Sequence, residues 1–192
     1  MSAPVDSTRS RRHGDAVRPD PGEVLHFSED ATIRVFDPHV ARTARQREAF
    51  VWAVDAERCP DYWFPRQCPR AMAWATPQSS TEDIGRIIGL GGGARVHAVE
   101  YGWLERIRTA RVFAYRLPAA AFRPIGEPDP HAFVAVNRVR RLRPPEPVGD
   151  LLALHEAAGI QLRVLPALTE FWAAVTASSL GFSGIRLRNA RI

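Results

Sequence analysis

The chain has 192 residues, 45% of them hydrophobic, and a formal net charge of +5; this suffices for one domain with a real core and leaves little room for two. All 26 basic residues are arginine, which excludes a pyridoxal Schiff base, a Walker-type phosphate loop and any lysine nucleophile. The arginine bias fits the codon usage of a GC-rich bacterial genome, and the mild charge excess permits anionic ligands without indicating nucleic acid.

No apolar run reaches membrane-spanning length and no leader pattern opens the sequence, so the expected compartment is the cytoplasm. Residues 1 to 22 are polar and nearly empty of apolar side chains. They are expected to form a disordered tail, leaving a single α+β domain at residues 23 to 192. Val24 to Phe27 reads as a strand, Thr32 to Phe36 as a short extended piece, and Phe50 to Val54 as an internal, fully apolar strand. Cys59 and Cys68 supply only half a zinc ligand set, and free thiols are expected.

Thr81-Glu-Asp83 looks like an N-cap with an acidic first turn, followed by Ile84, Ile87 and Ile88 at helical spacing and Gly89 as a stop. Gly89 to Ala94 matches the letters of a dinucleotide fingerprint, but a helix precedes it and a strand follows, so it reads as a connector. Arg95 to Glu100, Arg111 to Leu117 and Ala132 to Val136 are strand candidates, with a helical turn over Gly102 to Arg108. Val148 to Ala158 reads as a helix, Ile160 to Leu165 as a strand, and Pro166 to Ser179 as a second helix stopped by Gly181. The closing Ser183 to Arg188 alternates, placing Ile185 and Leu187 on one face and Arg186 and Arg188 on the other. The expected fold is α+β, with a mixed, mainly antiparallel sheet and a C-terminal helix-strand-helix segment.

The six histidines are scattered with no close ligand pair, and no metal is expected. His26 stands out, between apolar neighbours at a strand end beside Ser28 and Glu29. Trp52, Asp55, Tyr62 and Arg66 join large apolar surfaces to a few polar groups, the usual composition of a ligand pocket. The competing reading is a non-enzymatic module that binds an anionic ligand or nucleic acid through Arg138 to Arg143 together with Arg186 and Arg188.

His26-Phe-Ser-Glu-Asp30, Arg34-Val-Phe-Asp-Pro-His39, Trp63-Phe-Pro-Arg66 with Cys68-Pro-Arg70, and Gly181-Phe-Ser-Gly-Ile-Arg-Leu-Arg-Asn189 resemble a bacterial family of unknown function. A second resemblance is to ADP-ribosyltransferases of the histidine-tyrosine-glutamate type. It implies that NAD is the substrate, that His26 holds the ribose, that Trp52 and Tyr62 sandwich the nicotinamide, and that a glutamate, Glu100, completes the site. The catalytic set it implies is His26, Tyr62 and Glu100, with Trp52 binding the ligand; Asp55 and Arg66, the polar groups of the same apolar region, are read as further ligand-binding residues.

Overall fold

Short apolar runs broken by proline, glycine and polar caps yield short elements. The computed structural model describes residues 17–40, 48–91, 93–126 and 130–191. In chain order the elements are β1 (Glu23–Ser28), β2 (Val35–Phe36), β3 (Val51–Ala53), β4 (Arg70–Trp74), α1 (Thr81–Asp83), β5 (Arg95–Glu100), α2 (Leu104–Thr109) and β6 (Phe113–Pro118). There follow β7 (Arg123–Ile125), β8 (Ala132–Ala135), β9 (Val139–Arg140), β10 (Glu146–Pro147), α3 (Leu151–Ala157), β11 (Gln161–Leu165), α4 (Thr169–Thr176) and β12 (Gly181–Ile185).

The expected α+β class holds, with the strands divided among several small sheets. One sheet has the order β11-β5-β4-β12, parallel between β5 and β11 and antiparallel elsewhere. Its middle strands are covered on both faces, which is why Ala71 to Ala73 and Val96 to Val99 carry no regular polar alternation. A second sheet, β1-β6-β10, is antiparallel, as is a third, β3-β8-β7; the pairing of Leu25 with Val54 ties β3 to β1. The largest core cluster gathers Leu25, Trp63, Phe64, Val99, Ile107, Leu151 and Leu154 between β1, β5, α2 and α3. Each large apolar side chain buried there contributes about 1.5 to 3 kcal/mol.

Several sequence expectations are corrected in detail. Ser80, not Thr81, caps α1, its hydroxyl accepting from the Asp83 amide, and the chain continues as a π-turn through Ile88 before Gly89 reverses it at φ +74°. α3 begins after Asp150, whose carboxylate accepts from the Leu152 and Ala153 amides, and α4 covers only the middle of the Pro166 to Ser179 span. Gly181 opens β12 instead of stopping a helix: a Cβ there would lie 2.2 Å from the Trp74 indole nitrogen, so only glycine admits the ring. The strand ends at Ile185, Arg186 turns into the left-handed region at φ 56°, and Leu187–Asn189 form a 3-10 turn. The extended alternation of Ile185 with Leu187 is therefore interrupted.

Residues 1–16 of the expected tail lie outside the described residues. The remainder of that span is packed: Val17 is buried in the main core, and the Arg18 carbonyl accepts from Arg116. Packing contacts are thus present ahead of the expected boundary at residue 23, where buried Arg116 recruits Asp20, Glu23 and Glu146 as counter-charges. Cys59 and Cys68 are free and buried, and burial pushes both thiols up to about 12. Among the described residues no helix is long and apolar enough to cross a membrane.

Candidate functional site

Strands β1 and β3, the segment from Tyr62 to Arg70 and the segment from Ser183 to Arg188 border a pocket of about 500 Å³. Four residues singled out from the sequence, His26, Trp52, Tyr62 and Arg66, line it together.

Each is delivered by a local rule. On β3, Val51 and Ala53 point into a core cluster, so period-two alternation sends the intervening Trp52 to the opposite face. Phe50 braces its ring edge-on at 5.9 Å. His26, on β1, places Nδ1 2.8 Å from the Trp52 carbonyl oxygen and its ring 4.7 Å from Phe36. A carbonyl only accepts, so Nδ1 carries the proton and Nε2 presents a lone pair. Burial lowers the His26 pKa to about 4, assisted by the Arg66 charge and opposed by the Trp52 carbonyl bond, so the ring is neutral at physiological pH.

Tyr62 ends the 3-10 turn Cys59–Tyr62 and stacks on Phe27 at 6.5 Å with the planes 11° apart. A buried polar chain behind the pocket anchors this turn. The Asp61 carboxylate accepts from Arg95 at 2.5 Å and lies 3.5 Å from His97 Nε2. His97 Nδ1 lies 3.0 Å from His155 Nε2, and His155 Nδ1 donates to the Leu151 carbonyl at 2.6 Å. His155 therefore presents Nε2 as acceptor and His97 donates to it. Burial alone would raise Asp61, but the adjacent His97 ring and the Arg95 charge hold it below the ordinary carboxylate range. The two histidines are 58 positions apart in sequence, so the pair was not visible there. Among the described residues no group of three or more histidine, cysteine or acidic side chains is placed to hold a metal.

Arginine dominates the remaining wall: Arg66, Arg70, Arg186 and Arg188 all line the pocket, and Glu29 is the one acid on the lining among the described residues. Arg70 is 2% exposed. Its Nε donates to the Asp61 carbonyl at 2.6 Å and its Nη1 to the Cys68 carbonyl at 2.9 Å, while the guanidinium faces the Tyr62 and Phe64 rings. Burial disfavours its charged form. Glu29 accepts from the Arg66 amide at 3.0 Å, which holds the loop between Tyr62 and Arg70 against the end of β1.

Two site expectations are displaced. Glu100 is buried at the end of β5, outside the pocket, where its carboxylate accepts from the Leu168 and Arg191 amides. Asp55 accepts from the Arg58 amide and closes a turn, also outside the pocket. The arginine-rich stretch does not form one patch with Arg186 and Arg188: Arg138 pairs with Asp37, and Arg143 with Asp20, Glu23 and Glu146, away from the pocket. Sequence reasoning passed over Arg70 as a site residue, although a charge opening the apolar run Ala71 to Trp74 was a visible signal. Glu29, His39 and His131 were likewise not placed in the site.

Residues 25–190 match a family described as "Family of unknown function (DUF6886)", and the chain belongs to that family. No curated protein and no solved structure matches the chain.

Proposed function

We propose that the pocket binds a nucleotide bearing a flat nitrogenous ring, with NAD the leading candidate, and that the chain transfers or hydrolyses its ADP-ribosyl group. The observation that carries this reading is the meeting of His26, Trp52 and Tyr62 on one pocket wide enough for such a ligand. Indole and phenol faces suit a pyridine or purine ring, and the neutral His26 offers an acceptor to a ribose hydroxyl.

In the proposed step the bond between nicotinamide and ribose breaks, and nicotinamide leaves with the electron pair. The sugar becomes oxocarbenium-like, a nearby carboxylate stabilises it, and water or an acceptor nucleophile bonds to the anomeric carbon and releases its proton. We assign that role to Glu29 in place of Glu100, whose carboxylate is off the pocket lining and committed to backbone amides.

The excess of arginine on the lining favours a second reading, a module that holds an anionic ligand without turning it over. Release of nicotinamide from NAD separates the two. The transferase reading expects release that is lost in Glu29→Gln while NAD binding persists. Binding without any release supports the module instead, and absence of NAD binding contradicts the nucleotide reading.

A further inference from the structure

Arg116 and Arg70 are both buried arginines, 1% and 2% exposed, and the fold treats them oppositely. Arg116 meets three carboxylates, from Asp20, Glu23 and Glu146. Arg70 donates its hydrogen bonds to the Asp61 and Cys68 backbone carbonyls, and the Asp61 carboxylate, itself paired with Arg95, acts on it only through space. A buried charge without a directly paired counter-charge is costly to the fold, and this one lies on the wall of a pocket.

The same wall gathers further positive charge. Antiparallel pairing of β12 with β4 sets Ile185 opposite Arg70, so Arg186 follows immediately beside it. Arg186 holds a left-handed backbone conformation that side-chain-bearing residues avoid, and its Nε donates to the Arg66 carbonyl at 3.3 Å. Arg66 and Arg188 complete the group, while Glu29, the one acid on the lining among the described residues, contacts the Arg66 backbone. Burial together with the neighbouring Arg188 and Arg66 charges disfavours the Arg186 cation, so the cluster is electrostatically incomplete as it stands.

We propose that Arg70 and Arg186, flanked by Arg66 and Arg188, form a subsite for a diphosphate group. This deepens the nucleotide reading and rests on the pocket being a ligand site. Guanidinium forks bind phosphate oxygens bidentately, and a diphosphate supplies enough charge and enough acceptors to engage several of them at once. A single carboxylate does not.

Inorganic pyrophosphate titrated calorimetrically into the full-length protein at constant ionic strength, with sulfate as comparison, tests the subsite without NAD. The expected result is saturable one-to-one binding, tighter than sulfate, weakened about tenfold or more in Arg186→Gly and unchanged in Arg138→Ala, an arginine outside the pocket lining. Arg186→Gly is the deciding variant, because glycine suits the backbone there, whereas Arg70→Ala removes a buried group and can unfold the chain. Pyrophosphate binding with this pattern, in a protein that ignores NAD, upholds the subsite and removes the nucleotide reading. Absence of saturable pyrophosphate binding, or equal affinity in Arg186→Gly, overturns the subsite whatever NAD does.

Discussion

A neutral imidazole is what His26 brings to the pocket, and the same burial that keeps it neutral makes stability depend on pH. Burial lowers both His26 and His155 from 6.5 to about 4. Between those values the unfolded chain takes up protons that the folded chain refuses. Stability is therefore complete above 6.5 and is lost as the pH falls toward 4. Urea denaturation at pH about 7.5 and about 5 should show the loss, and His26→Gln should reduce the difference between the two. Glu100 gives a second residue-level expectation. Its carboxylate satisfies the Leu168 and Arg191 amides, so Glu100→Ala should cost about 1 to 3 kcal/mol of stability and leave NAD affinity unchanged. A loss of affinity at full stability would return Glu100 to the site. His26, Trp52, Tyr62 and Arg66, which line one pocket, stood out in the sequence because each places a polar or aromatic group within or beside an apolar run. Glu100 misled because its true partners lie 68 and 91 positions away, where no local pattern reveals them.

At the scale of elements, the turn after β12 determines where the pocket arginines sit. Because Arg186 pays the left-handed penalty, Arg186→Gly should hold or raise stability by up to about 1 kcal/mol. The turn is thus shaped for the pocket more than for the fold; a clear destabilisation in chemical denaturation would contradict this. Leu187 falls in the 3-10 turn and is only partly buried, packed against the cluster of Ala71, Ala98 and Leu168. Its truncation should cost less than the roughly 2 to 5 kcal/mol of a fully buried leucine. The alternation of Ile185 and Leu187 suggested a continuing strand, and nothing in hydrophobic periodicity marks a single residue that reverses the backbone. Asp61 is the opposite case, an element held by buried charge. Asp61→Ala leaves Arg95 and His97 without their carboxylate and should cost about 3 to 5 kcal/mol, with the Tyr62 turn loosened as a result.

Across the whole molecule, the segment before β1 belongs to the packing. Val17 is in the core and Asp20 pairs with Arg116 and Arg143, so a chain beginning at residue 23 should melt below one beginning at residue 17, by a margin reflecting about 2 kcal/mol. Equal melting temperatures would show that these contacts contribute nothing. The α+β class and most strands were legible from apolar runs and caps, since those patterns act locally. The division into several sheets was not, because strand partners such as β4 and β12 are far apart in sequence and are chosen by register and shape. The pocket depends on that long-range choice: it sets Arg70 beside Arg186 and brings both to a wall shared with His26 and Trp52. Calorimetric titration of the full chain with NAD tests this account most directly. It predicts one NAD bound per chain, with affinity weakened about tenfold or more in Trp52→Ala and in Arg186→Gly. Absence of saturable binding, or binding that neither substitution alters, would contradict it.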